Sequence, residues 1–210
     1  MSHFCTMVIG DDVENQLSPF EEKEVDRYVK YTKEELIENQ RKEINEYKNN
    51  FYDEYLKDPV TYENKCLGNH SHLKYLKEEF PKKLLFTDEE LYKEAIKYEE
   101  MENIGDNGEL YSTYNPNSKW DWYQVGGRWG KKLETKKGNC DSAIKKDILN
   151  ISDIHTFAIL KDGKWYEKGK MGWWGFVSDK KEENEWEEQF RKLIDNLPNE
   201  TLITIVDCHI

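Results

Sequence analysis

Apolar residues are concentrated in short runs at the two ends of the chain. The run His3–Ile9, which ends at Gly10, predicts a buried strand, and the run Leu202–His209 predicts another. Both runs are apolar enough to form central strands of a sheet. We expect these two strands to lie next to each other.

Between these runs, apolar residues recur with the period of amphipathic helices. Two capping boxes, Thr32–Glu35 and Thr87–Glu90, predict helices over 32–57 and 88–102, because their threonine and glutamate side chains satisfy the first free N–H groups. The same spacing predicts a helix over 182–196. Its inner face carries Trp186, Phe190, Leu193 and Leu197.

A hairpin precedes the last helix. Asp162-Gly163 predicts a tight turn between strands at 156–160 and 164–167, and Glu109–Tyr114 predicts a further short strand. A hairpin followed by a helix and a strand indicates an α+β fold, in which helices pack on a mostly antiparallel sheet.

The chain has no internal repeat and no low-complexity linker. We therefore predict a single α+β domain over residues 1–210, with residues 32–104 as a helical insertion. Within the insertion, a short helix is expected at 73–79, with a stop at Pro81. The lysine-rich segment after Trp129 is expected to be a loop.

Composition and charge narrow the function. The chain has a net charge of −12 and contains 7 Trp, 13 Tyr and 8 Phe, which predicts an aromatic core beneath charged helices. A negative surface disfavours duplex DNA, whose binding requires Lys and Arg to displace counterions. The acidic surface either meets a basic partner, such as a nucleic-acid-binding protein whose DNA it imitates, or only keeps the chain in solution.

Cysteine spacing and hydropathy predict a soluble cytoplasmic protein. The four cysteines are scattered and form no Cys-x-x-Cys pair, which is typical of reduced thiols. No leader-like N-terminus and no apolar run of about 18 residues is present, so we expect no contact with a membrane.

The aromatic block 115–129 is the first candidate site. It combines tryptophans, a double glycine and an arginine, which suits a pocket for a flat anionic ligand. The glycines could offer N–H groups to an anion. The candidate ligand-binding residues are Trp120, Asp121, Trp122, Tyr123, Gly126, Gly127, Arg128 and Trp129. Alternatively, the tryptophans fill the core and Asp121 pairs with Arg128.

The chain ends provide a second candidate site. Asp207 and His209 share one face of the last strand, and His3 joins them if the first strand is adjacent. These three are candidate catalytic residues. They could bind a metal ion, or a histidine could act as a general base oriented by the carboxylate. Cys5 or Cys208 could then serve as a nucleophile.

Two further segments were considered as sites. Cys66, His70 and His72 have donor types that suit zinc, but a fourth ligand is missing, and we favour a solvent-exposed loop. We expect no metal and no cofactor. The tandem Trp173-Trp174 could place one ring in the core and the other in the pocket of the central block.

Three segments form specific motifs: MSHF at the N-terminus, NPNSKWDWYQVGGRW at 115–129 and VDCHI at the C-terminus. Together they resemble a family of uncharacterised proteins found mostly in tailed bacteriophages and prophages. The resemblance implies phage origin, action inside a bacterial host, and an accessory role in host takeover or counter-defence. The family implies no particular activity.

Three classes of function fit these observations. The first is a protein that binds a nucleotide-like or small anionic ligand in an aromatic and arginine pocket. The second is an acidic inhibitor that covers a basic surface of a host defence protein. The third is a hydrolase or transferase that modifies a nucleotide or a protein. Whether the protein is an enzyme is left open by the sequence.

Overall fold

The computed structural model describes residues 2–172 and 175–210, so the expectation for Trp173-Trp174 lies outside the described residues. The chain forms two compact units. The sheet unit comprises Met1–Val25 and Tyr114–Ile210, and the inserted unit comprises Asp26–Thr113.

Residues 2–172 and 175–210 contain twelve strands and eight α-helices, in the following chain order. The strands are β1 His3–Ile9, β2 Glu24–Tyr31, β3 Leu110–Tyr114, β4 Trp122–Val125, β5 Leu133–Thr135, β6 Gly138–Cys140, β7 Ser142–Ile144, β8 Ala158–Lys161, β9 Lys164–Glu167, β10 Lys170–Met171, β11 Val177–Ser178 and β12 Leu202–His209. The helices are α1 Val13–Leu17, α2 Lys33–Tyr47, α3 Asp53–Lys57, α4 Pro59–Lys65, α5 His70–Lys74, α6 Phe80–Lys83, α7 Asp88–Ala95 and α8 Glu183–Asp195.

A six-stranded sheet forms the centre of the sheet unit. Its order is β4-β12-β1-β8-β9, and β7 pairs with the other end of β12. β1 and β12 pair antiparallel, from His3 opposite His209 to Ile9 opposite Ile203, whereas β1 and β8 pair parallel. The predicted α+β class and the adjacency of the two terminal strands are confirmed.

Both faces of this sheet are covered, because the strands alternate apolar residues to each side. On one face, α8 packs Trp186, Phe190 and Ile194 onto Met7, Ile9, Ile159, Ile203 and Ile205. On the other face, Leu17, Phe20 and Trp120 cover Phe4, Val8, Leu160, Val206 and Cys208.

The inserted unit is largely helical. Both predicted capping boxes are present: Thr32 and Glu35 close the start of α2, and Thr87 and Glu90 close the start of α7. Two π-helical turns, Lys48–Tyr52 and Tyr75–Glu79, continue α2 and α5. The buried residues of these helices are Leu36, Tyr62, Leu76, Phe80 and Leu91.

Several local predictions were wrong. α7 ends at Ala95 rather than near 102, because Tyr98 is 88% exposed and the last part of the predicted helix has no core to pack on. Pro81 does not stop a helix but occupies the first turn of α6, where its missing N–H costs nothing. The expected loop after Trp129 contains β5, β6 and β7.

The search for membrane spans covered residues 2–172 and 175–210. Within these residues, no helix combines the length and the apolar character needed to cross a membrane.

We predict that Phe190→Ala lowers the free energy of unfolding by about 3–5 kcal/mol, because Phe190 is 1% exposed and its removal leaves a cavity between α8 and the sheet. Phe176→Ala is the matched control, since Phe176 is 77% exposed. Urea denaturation measures both changes, and equal losses in the two variants would contradict this packing.

Candidate functional site

Pairing of three strands brings the polar ends of the chain together. His209 lies opposite His3 on β1 and opposite Trp122 on β4, and Asp207 lies opposite Cys5 and Gln124. Because directly paired residues in an antiparallel sheet point to the same side, these residues form two rows on one face. This face is also the one that α8 covers further along, at Ile205.

Beyond the part covered by α8, this face borders an open cleft of about 550 Å³. We call it the histidine cleft. The lining residues used below are His3, Trp122, Gln124, Arg128, Lys131 and Asp207. It therefore contains an exposed indole, two cationic side chains and one of the two terminal histidines.

The carboxylate of Asp207 is the buried anchor of the cleft. Asp207 is 2% exposed, and its Oδ1 lies 2.8 Å from Nδ1 of His3. Its Oδ2 accepts the backbone N–H of Arg128 at 3.0 Å. A buried carboxylate requires such donors to compensate for lost hydration, so Asp207 holds both the His3 ring and the Arg128 backbone in place.

The double glycine allows the chain to approach two carboxylates. Gly126 and Gly127 have φ angles of +74° and +52°, in the left-handed region that favours glycine. A Cβ atom at Gly127 would lie 2.6 Å from Oδ2 of Asp207, and one at Gly126 would lie 2.6 Å from Cγ of Asp141. The sequence suggested that these glycines approach a bound anion. In the structure Gly127 instead lies against the protein's own Asp207 carboxylate.

A second imidazole is held in the same manner. Nδ1 of His209 lies 2.5 Å from Oδ1 of Asp121, and the rings of His3 and His209 meet edge to face with centroids 4.9 Å apart. Since an ionised carboxylate only accepts, each Nδ1 carries the proton of this hydrogen bond, and Nε2 is the acceptor atom of the neutral ring. Two adjacent imidazoles held by separate carboxylates are suited to proton transfer or to anion recognition.

The aromatic block divides between the cleft and the core. Trp122, Gly127 and Arg128 line the histidine cleft, and Trp122 is 49% exposed. Of the other candidates, Trp120 and Tyr123 pack beneath the opposite sheet face and Trp129 packs against the core under α8.

The alternative pairing of Asp121 with Arg128 does not occur. Asp121 pairs with His209, whereas the guanidinium of Arg128 is exposed. No ion pair of Arg128 is recorded with any residue of 2–172 and 175–210. The arginine therefore presents its charge to the cleft.

Five lining residues were not among the sequence candidates: Gln124, Val125, Gly130, Lys131 and Asp141. Gln124 could have been found from period two, since it lies two residues after Trp122 on β4. Lys131 and Asp141 carry no such signal. Asp141 joins the cleft because its carboxylate accepts the N–H of Lys131 across a turn.

Burial excludes the cysteines as nucleophiles at neutral pH. Desolvation raises the pKa of the Cys5 thiol and that of the Cys208 thiol to about 12 each, so both remain protonated. The thiol hypothesis for these two residues was wrong.

His72 is held in place by two tyrosine side chains. Its Nδ1 and Nε2 each lie 3.1 Å from a tyrosine hydroxyl, of Tyr47 and Tyr62 respectively. The expected exposed loop is present at residues 66–69, between α4 and α5, whereas His70 and His72 lie on α5 and His72 is half-buried. Within the described ranges, no group of three or more His, Cys, Asp or Glu side chains is placed to hold a metal ion.

We predict that Gly127→Ala destabilises the protein more than Gly163→Ala does. Both glycines have positive φ angles, but a Cβ at Gly163 meets nothing within 4 Å, whereas one at Gly127 meets Asp207. The overlap should add about 1–3 kcal/mol to the common backbone strain. Thermal and urea denaturation measure the difference, and equal effects would contradict the close approach to Asp207.

We also predict that a thiol reagent at pH 8 leaves Cys5 and Cys208 unmodified in the folded protein. Both thiols are buried and protonated at that pH, whereas Cys66 and Cys140 are only half-buried. Peptide mass spectrometry should find label at Cys66 and Cys140 in the native state and at all four after denaturation. Native labelling of Cys208 would show that β12 is accessible.

Comparisons with known proteins were made at three levels. No model of a protein family, no curated protein and no solved structure matches this chain. A role for the protein is therefore inferred from the residues and geometry of the histidine cleft.

Proposed function

We propose that the protein binds a nucleotide or a nucleotide-like signal in the histidine cleft, as a phage accessory protein acting in the host bacterial cytoplasm. The observation that carries this proposal is the meeting of the exposed Trp122 ring with the cationic side chains of Arg128 and Lys131 in one cleft. A flat ring and a phosphate are the two groups that such a surface recognises.

The ring of Trp122 is the stacking surface of this proposal. The ring is 49% exposed although Trp122 lies on β4, paired with His209 of β12. A base can therefore stack on the ring while β4 stays paired with β12. Stacking of a base on an aromatic side chain contributes about 1–3 kcal/mol.

The phosphate would be held by Arg128. A guanidinium binds two phosphate oxygens at once, and charge-assisted hydrogen bonds are about twice as strong as neutral ones. Lys131 adds a second positive charge on the same side. Two carboxylates, Asp207 and Asp141, line the same cleft and accept the backbone N–H groups of Arg128 and Lys131. The side-chain charges of Arg128 and Lys131 are therefore left for an anion.

The backbone of the cleft is fixed before a ligand arrives. Asp207 holds His3 and the N–H of Arg128, and the positive φ angle of Gly127 sets the turn that carries Arg128. Preorganised groups lose less conformational freedom on binding, which increases affinity. Sequestering such a ligand is the counter-defence activity we propose.

The histidine pair supports a second candidate, acid–base catalysis on the bound ligand. His3 lines the cleft and its Nε2 is available, while His209 contacts the His3 ring at a centroid distance of 4.9 Å. In this version His3 takes a proton from water or a hydroxyl group as that oxygen attacks the phosphorus of the bound ester, and Asp207 stabilises the imidazolium that forms. The P–O bond to the leaving group breaks, and the departing oxygen takes the proton from His3. The product then distinguishes an enzyme from a binding protein.

We predict that mononucleotides or cyclic nucleotides bind the wild-type protein and bind Arg128→Ala about 10- to 100-fold more weakly, since one charge-assisted contact is lost. Arg191→Ala, on α8 and not part of the cleft lining, is the control and should bind as wild type. Isothermal titration calorimetry gives the affinities. Absence of binding, or equal affinity in the two arginine variants, would refute the proposal.

Heating the complex and identifying the released molecule separates the two candidates. Sequestration predicts recovery of the intact nucleotide. Catalysis predicts a hydrolysed or transferred product, and His3→Ala should then slow turnover at least 100-fold while leaving nucleotide binding within a few-fold of wild type. A wild-type rate in His3→Ala would exclude this histidine as the base.

A further inference from the structure

A second cleft adjoins the first. It encloses about 610 Å³ between the β5–β6 hairpin and the segment that follows β7. We call it the lysine cleft. Its lining includes Lys136, Lys137, Ile144, Lys146, Asp147 and Leu149.

The two clefts share a wall. Asp141 lines the histidine cleft, whereas its chain neighbours Cys140 and Ser142 line the lysine cleft. The same segment, residues 140–142, therefore contributes to both clefts, and it bends at Asp141 between β6 and β7. A ligand that occupies both clefts would cross the chain at this bend.

Basic residues are concentrated around this wall. Residues 128–146 contain seven Lys and Arg residues but only two acidic ones, in a chain whose net charge is −12. Three of these lysines have structural partners. Lys132 and Lys145 donate to backbone carbonyls, and Lys146 pairs with Glu200 at 2.6 Å.

The other four cations face the clefts without an ion pair. They are Arg128 and Lys131 in the first cleft and Lys136 and Lys137 in the second, and none of them is ion-paired with another residue of the described ranges. The pair between Lys146 and Glu200 is exposed, and exposed pairs contribute little, so a phosphate can compete for this lysine.

We infer that the ligand is a single-stranded oligonucleotide, with one nucleotide in the histidine cleft and its neighbouring phosphates along Lys136, Lys137 and Lys146. This inference rests on the proposed function and names its ligand class. The exposed Leu149 and the half-buried Ile144 provide an apolar surface for a second base or sugar.

Single strands fit this surface better than duplexes or acidic peptides. A duplex presents its bases to its own partner strand, so it cannot place a base on Trp122, and the overall negative charge opposes its long array of phosphates. An acidic peptide would pair with the lysines but would not require the exposed Trp122 ring.

The test compares a mononucleotide with single-stranded RNA and DNA hexamers across a salt series. The lysine-cleft variant is Lys136→Ala/Lys137→Ala, which removes two exposed hairpin side chains. Its matched control is Lys164→Ala/Lys180→Ala, which removes two exposed lysines that do not line this cleft. Fluorescence anisotropy reports the hexamers and calorimetry reports the mononucleotide.

We expect a hexamer to bind wild type at least 10-fold more tightly than the mononucleotide. Lys136→Ala/Lys137→Ala should remove most of that gain and flatten the slope of log K against log salt by about 1.4, since each single-strand phosphate contact contributes about 0.7. Mononucleotide affinity should stay at the wild-type value. The control variant should bind both ligands as wild type does.

Other results would overturn the inference in distinguishable ways. A mononucleotide that binds through Arg128, with no gain for either hexamer, overturns the oligonucleotide and leaves the proposed function standing. If Lys164→Ala/Lys180→Ala weakens hexamer binding as much as Lys136→Ala/Lys137→Ala does, the binding reflects non-specific charge attraction. This result also overturns the inference. Binding of a Glu-rich peptide but of no hexamer assigns the lysine cleft to protein, and binding of no nucleotide or hexamer overturns both proposals.

Discussion

The register between the first and last strands determines where every polar group of the site lies. His3 faces His209 and Cys5 faces Asp207, so a shift by one residue would turn the histidines to the opposite face and bury Phe4 or Cys208 beneath α8. The apolar residues on both faces oppose such a shift. The packing of the core and the position of the site therefore depend on one set of strand contacts.

The fold could largely be predicted because its signals are local. The capping boxes at Thr32 and Thr87, the turn at Asp162-Gly163 and the inner face of α8 each depend on residues close in sequence. The parallel pairing of β1 with β8 could not be predicted, since register between distant strands leaves no local pattern. β4 was missed because an edge strand with mostly exposed side chains lacks clear alternation.

The site was predictable in its residue types but not in its pairings. His3, Asp207 and His209 are brought together as the adjacency of the ends implied, and Trp122 and Arg128 line the same cleft. The two candidate sites thus form one site, which neither pattern indicated alone. Tertiary geometry decides which side chains pair. Asp121 pairs with His209 rather than with Arg128, and Gly127 and Gly126 allow the chain to lie close to Asp207 and Asp141.

We propose that the cleft anchored by Asp207 holds a nucleotide between Trp122 and Arg128, next to the His3 ring. Nitrogen NMR of the imidazoles during a mononucleotide titration tests this most directly, with Asp207→Asn as the comparison and His72, bonded to two tyrosines, as the internal reference. We expect the His3 resonances to move on titration, those of His72 to stay, and Asp207→Asn to abolish the movement. Unmoved His3 resonances at saturating nucleotide, or the same movement in Asp207→Asn, would contradict this proposal.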